Sequence, residues 1–237
     1  MRRKIWWTYF IVAVVAFTTG GAMAYEGGAV SNGGTISGVV KFKGTAPAPK
    51  PLMITKDKAV CDKTPKTDPT LVVKGGNVVY AVVSLTDIKS GKKMEPMTVT
   101  MDQKGCEYHP HVLGLTAGST VDILNPDGIL HNVHSYSKVN SPFNRAQPKF
   151  KKKLSIKMEK PEAVHLQCDV HGWMSGWLYV AGNPYFSVTN EQGAFTLSDV
   201  PPGTYTLEVW HETLGKQSQK VIVGAKQDVK LNLELSK

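Results

Sequence analysis

Four side chains in this sequence have the types and the spacing to hold one redox-active metal ion. Cys168-Asp169-Val170-His171-Gly172-Trp173-Met174 sets a thiol, an imidazole and a thioether three residues apart in one short stretch. Leu130-His131-Asn132-Val133-His134 offers a further imidazole from earlier in the chain. Thiolate and thioether are soft donors that suit Cu(I), and imidazole suits both Cu(I) and Cu(II). The set His131, Cys168, His171 and Met174 therefore points to a single copper ion. Zinc would use the thiolate and the imidazoles but gains little from Met174. Each residue alone has an ordinary reading, Cys168 as a buried thiol or disulfide partner and His131 as a satisfied polar histidine; the combination carries the copper reading.

The neighbours of Cys168 restrict what such a copper could do. Multicopper oxidases and copper nitrite reductases need His beside this Cys to reach a second copper centre, and here Gln167 and Asp169 flank it. A dinuclear copper site would need a second Cys in the loop. One copper with no place for substrate chemistry is the economical reading, so no enzyme is expected. His109, His111, His134, His165 and His211 are left over, and Cys106-x-Tyr108-x-Pro110-His111 is a weak candidate for a second metal site. Trp173 and Trp177 read as packing residues rather than electron relays.

Holding these donors requires a rigid frame, and the rest of the chain supplies short strands. Apolar residues alternate or sit in brief runs bounded by Gly, Pro, Asn and Asp, which predicts an all-β protein with no long amphipathic helix. Residues 27–34 read as a flexible entry, Ile36, Val40 and Phe42 as one face of a strand, and 46–51, with three prolines, as an extended connection. Residues 71–85, broken by Gly75-Gly76-Asn77, predict a hairpin. From Met97 the pattern is that of a compact sandwich, with strands at 98–101, 112–115, 121–124 and around Val133. Val164-His165-Leu166-Gln167 leads into the Cys168 loop and Trp177-Leu178-Tyr179-Val180 leads out, so the loop joins two strands at one end of the sandwich. Beyond Asn183-Pro184 a third section alternates through Phe195, Leu197, Tyr205, Leu207 and Val209 to a last strand with Val229, Leu231, Leu233 and Leu235 on one side.

The Asn125-Pro126-Asp127 turn, His131-Asn132-Val133 and Cys168-x-x-His171-x-x-Met174 make residues 105–180 resemble the cupredoxin family, blue copper electron carriers of the amicyanin and plastocyanin kind. The resemblance implies a Greek-key β-sandwich over 97–181 and one type 1 copper. His131, Cys168 and His171 would then lie in a near-trigonal plane with Met174 as the long axial ligand. It further implies that Asn132 steadies the loop by hydrogen bonds, and that electrons pass through the solvent-edge imidazole, which would be His171. Gly172 stands where loops of this family often carry Pro. Gly193-Ala194-Phe195-Thr196-Leu197 and Pro201-Pro202-Gly203-Thr204-Tyr205 make residues 182–237 resemble the carboxypeptidase regulatory-like (transthyretin-like) β-sandwich, a non-catalytic scaffold. Gly34-Thr35-Ile36-Ser37-Gly38-Val39-Val40 is similar to the first strand of that family, so 30–95 is expected to complete the C-terminal sandwich, with the copper-binding unit inserted.

Charge and cysteine usage concern compartment and partners. Arg2, Arg3 and Lys4, an apolar run to Phe17 and Ala22-Met23-Ala24 have the order of a secretory signal over 1–24; an uncleaved anchor, giving membrane contact through this segment, is the alternative. Either reading puts the body of the chain in the periplasm or otherwise outside the cytoplasm, where nucleic acid is not an expected partner. The formal charge is +9, three of it from residues 2–4, and six lysines fall within 149–160, a docking patch for an acidic partner or a solvated face. Three Cys are an odd count; with Cys168 on metal, Cys61 and Cys106 remain as a disulfide pair or as two free thiols. The leading expectation is an exported carrier of single electrons between redox proteins such as a cytochrome, a dehydrogenase or a membrane complex. The alternatives are a copper-handling protein, chaperone or sensor, and a structural module of a surface redox complex.

Overall fold

The computed structural model describes residues 25–237, and its chain is nearly all β, as the alternation predicts. The signal or anchor reading of 1–24 lies outside the described residues. Among the described residues no helix is long and apolar enough to cross a membrane.

The strands form two sandwiches with separate cores. In the first, Gly34–Phe42 runs parallel to Asp228–Leu235 on one side; on the other it is antiparallel to Ala194–Val200 and, at its end, to Asn77–Val78. The facing sheet has the order Phe186–Val188, Val82–Leu85, Gly203–His211, Gly215–Val223. Ile36, Val40, Val83, Leu85, Leu207, Val209 and Leu233 meet between the sheets. Gly38 permits the parallel pairing, because a Cβ there would stand 1.6 Å from the Leu231 carbonyl oxygen.

The second sandwich packs the sheet Lys153–Met158, Ser119–Leu124, Thr98–Gln103, Tyr108–His109 against the sheet Asn144–Gln147, His131–Ser135, Glu162–Gln167, Ser175–Ala181, Val112–Thr116. Strict alternation builds it: Val121, Ile123, Val164, Leu166 and Leu178 point inward with Met101 and Leu115, while Asp122, His165 and Trp177 point out. The outward Trp177 and Tyr179 are not left to water. They pack with Val82, Trp210 and Phe186 of the first sandwich, and the Trp177 indole N–H donates to Glu212 at 2.8 Å. The chain leaves the first sandwich after Val82–Leu85 and returns at Phe186–Val188, two strands paired with Phe186 opposite Ser84. The entry and exit of the inserted sandwich are therefore adjacent.

Two expectations about the N-terminal part are corrected. Residues 71–85 are not one hairpin: Val73–Lys74 pairs with Asn77–Val78, and Val82–Leu85 departs for the opposite sheet. Of 30–95, Gly34–Phe42, Val73–Lys74, Asn77–Val78 and Val82–Leu85 do complete the first sandwich, but the segment between Phe42 and Val73 does not stay with it. Residues 44–70 form an arm that crosses to the inserted one, tied at its base by the Pro51 and Thr67 bridge. The arm buries Ile54 and Cys61 in the second core, and Cys61 forms a disulfide with Cys106, Cα to Cα 5.2 Å, across 45 residues of sequence. A single turn of helix, Lys58–Cys61, sits at its tip.

Candidate metal centre

One end of the inserted sandwich gathers the donors. Glu162–Gln167 delivers Cys168, and the chain turns back into Ser175–Ala181 with Gln167 opposite Ser175. Two hydrogen bonds close the loop, Cys168 N–H to Met174 carbonyl at 3.2 Å and Met174 N–H to His171 carbonyl at 2.9 Å. His131 opens the neighbouring strand, whose His134 lies opposite Gln167. The His131 and His171 Nδ1 atoms come to 3.0 Å, and Cys168 Sγ stands 3.8 Å from His171 Nδ1. One donor atom from each of the three residues lies within 4.8 Å of the others. All three side chains are fully buried, and Met174 is buried in the same cluster as Cys168.

Asn132 ties the loop to the strand beside it. Its backbone N–H points at Cys168 Sγ, 3.5 Å away. Its side-chain oxygen accepts from Asp169 N–H, and its amide donates to Asn144 at 2.6 Å and Asp169 at 3.1 Å.

The outer nitrogens of both imidazoles are held by carboxylates. His131 Nε2 donates to Asp127 at 3.0 Å, and Asp127 also accepts the backbone N–H groups of Gly105 and Cys106 at 2.7 and 2.8 Å. His171 Nε2 donates to Asp57, on the arm, at 2.9 Å. Asp57 precedes the single helical turn with φ +48°, a left-handed conformation that short polar side chains tolerate.

The electrostatics favour positive charge between the sulfur and the rings. Burial would raise the Cys168 thiol, but the two imidazoles beside it and the N–H groups of Asn132 and His171 outweigh it and bring it down to about 6. Burial opposes protonation of His131, and the Asp127 carboxylate and Cys168 sulfur overcome it, so this imidazole titrates above its usual value. Burial likewise works against the Asp127 carboxylate, and His131 with the two N–H groups holds it below the usual range. A soft anionic donor and two nitrogens converge from buried positions, and their second nitrogens are already partnered. This donor set fits a copper ion.

The structure departs from the sequence reading at His171. The resemblance puts this imidazole at the solvent edge, but it is fully buried, because the arm lays Asp57 over Nε2. The weak second site is corrected too, since Cys106 is committed to its disulfide. His134 instead contacts Asp169, His165 the Ser175 hydroxyl, His111 the Glu212 carboxylate, and His211 accepts from Thr213 N–H. Trp173 packs its ring 5.2 Å from that of His171 and donates to the Cys106 carbonyl. Among the lysines of 149–160, Lys153 pairs with Asp122 and Lys157 with Glu159. Lys149 borders a hollow lined by Leu130, Phe150, Val170 and Asp57, in which Phe150 is 80% exposed.

Sequence reasoning missed both carboxylates. Asp127 had a signal, four residues before His131 in a turn that fixes its place. Asp57 had none, being 114 residues from its partner.

A carboxypeptidase regulatory-like domain model matches residues 180–236. The structure adds Gly34–Phe42 and Val82–Leu85 to the strands of that region. No curated protein matches the chain. Among solved structures, the chain is similar to a Cu(I) form of an amicyanin mutant, with 21% identity, TM-score 0.33, and coverage of 35% of this chain and 82% of that one. It is similar to a purple cupredoxin from Nitrosopumilus maritimus at 20% identity and TM-score 0.31, covering 35% and 99%. A copper-containing nitrite reductase from Thermus scotoductus SA-01 matches at 23% identity and TM-score 0.33, covering 48% of this chain and 26% of that one.

Proposed function

We propose that this protein is an exported mononuclear copper protein of the cupredoxin type, carrying single electrons between redox proteins without an enzymatic reaction of its own. The observation that carries the reading is the convergence of Cys168 Sγ with the Nδ1 atoms of His131 and His171, all buried. Met174, buried in the same cluster, is the fourth candidate donor. Copper bound there supplies a one-electron couple; the chain's part is to hold the donors still. The loop hydrogen bonds, the Asn132 bridge and the paired strands resist the change of geometry that a change of oxidation state favours, which keeps reorganisation small. Burial of the donors favours retained metal over the ready exchange that a chaperone needs. The partner is a redox protein, a cytochrome, dehydrogenase or membrane complex, met at the Phe150 end where Lys149 adds positive charge. The first sandwich acts as scaffold.

Titration of the purified protein with Cu(II) tests this. The expected result is one equivalent bound with an intense visible thiolate-to-copper absorption that Cys168→Ser abolishes. A colourless complex, or copper lost at once to a competing chelator, would overturn it.

A further inference from the structure

We infer that Asp57 is a positioning residue for the metal centre: it caps His171, presenting Nδ1 to the site, and its charge favours the higher oxidation state of a bound copper. The second half rests on the function proposed above; the first stands on the metal-free protein. Three observations support it. The Asp57 carboxylate lies 2.9 Å from His171 Nε2, and this is the hydrogen bond that nitrogen makes among the described residues. His171 is wholly buried while the Asp57 side chain is 38% exposed, so the carboxylate is the outermost part of the pair. A neutral imidazole that donates through Nε2 must offer a lone pair at Nδ1, which faces His131 and Cys168.

The arm explains why the cap is there. Residues 44–70 leave the first sandwich, cross to the second, and are fastened by Cys61–Cys106 four residues beyond Asp57. The same disulfide fastens Cys106, whose N–H holds Asp127 against His131. One covalent link thus stabilises the positions of both carboxylates. A partner approaching the Phe150 hollow meets the Asp57 carboxylate, with Lys56 and Lys149 beside it, rather than a bare imidazole edge. Loss of a carboxylate partner behind a metal-binding histidine typically weakens metal affinity 10- to 100-fold. Removing a negative charge weakens Cu(II) more than Cu(I), so the reduction potential must rise. A tenfold differential loss corresponds to about 59 mV for one electron.

The test uses the full exported chain and three variants. Asp57→Asn keeps an acceptor and removes the charge, Asp57→Leu removes both, and Asp62→Asn removes an exposed charge elsewhere on the arm. Voltammetry of the copper-loaded protein is expected to show a rise of about 59 mV for Asp57→Asn and none for Asp62→Asn. Nitrogen-15 NMR of the metal-free protein is expected to show His171 protonated at Nε2, with that preference lost in Asp57→Leu. An unchanged potential in Asp57→Asn, an equal rise in Asp62→Asn, or an unchanged His171 tautomer in Asp57→Leu overturns the inference. If the wild-type protein takes up no copper, the proposed function fails and the NMR result still decides the cap.

Discussion

Replacing Cys61 and Cys106 together by alanine tests whether the arm is held chiefly by its covalent link. The disulfide closes a loop of 45 residues, and chain-entropy reasoning gives a loss of about 13 cal/mol/K to the unfolded ensemble. At 25 °C that is about 4 kcal/mol of stabilisation. Both sulfurs are fully buried beside Ile54, Met101 and Tyr108, so deleting them adds a cavity cost to the same sign. Urea unfolding of the metal-free wild type and the double variant is expected to show a stability loss of about 4 kcal/mol or more. The unlinked unfolded chain is less compact and exposes more surface, so the slope of stability against urea should steepen. A loss below about 1 kcal/mol would refute the reasoning. A large loss with an unchanged slope would do so as well, because it would place the effect in the folded state.

Other perturbations have outcomes set by particular contacts. Asn132→Ala removes three side-chain hydrogen bonds around Asp169 and Asn144 and should cost about 2–3 kcal/mol in denaturant unfolding, with copper affinity lowered at least about tenfold in a chelator competition. Gly38→Ala sets a Cβ into the Leu231 carbonyl; a loss of at least about 4 kcal/mol, or early proteolysis of the final strand, is expected. For Glu162, burial raises its carboxyl, but the Ser137 hydroxyl, the Lys138 and Asn140 N–H groups and the Asn140 amide hold it down to about 2. Its contribution is therefore complete above its ordinary value of 4.5 and lost as pH falls through about 2. Glu162→Gln should cost about 2 kcal/mol near neutrality, allowing for solvent screening, and its stability curve should converge with that of the wild type in acid.

Much of the strand layout was legible because alternation is a local signal: Val121 and Ile123, or Val164 and Leu166, announce their inward face within a few residues. The tight loop that carries Cys168, His171 and Met174 was legible for the same reason, since seven residues between two such strands have few ways to turn. The course of residues 44–70 was not. Three prolines argue for an extended path but say nothing of which core Ile54 and Cys61 will join, and Asp57 carries no pattern linking it to His171. The solvent-edge expectation for His171 came from a resemblance confined to 105–180, which contains nothing of the arm that covers the ring. Residues 71–85 failed as a hairpin because Tyr80, at φ +64°, lets the chain leave one sheet for the other.

The parallel pairing of Gly34–Phe42 with Asp228–Leu235 has a mechanical consequence. The first of these strands is entered from the N-terminal side and the second is left toward the C-terminus, so tension between the two ends of the chain slides one strand along the other. Eight residue pairs, from Thr35 with Asp228 to Phe42 with Leu235, are then loaded in shear together rather than unzipped singly. The inserted sandwich hangs from the adjacent strands Val82–Leu85 and Phe186–Val188, to one side of that line of force. The His131, Cys168 and His171 cluster lies within that insertion, outside the eight pairs that take the shear.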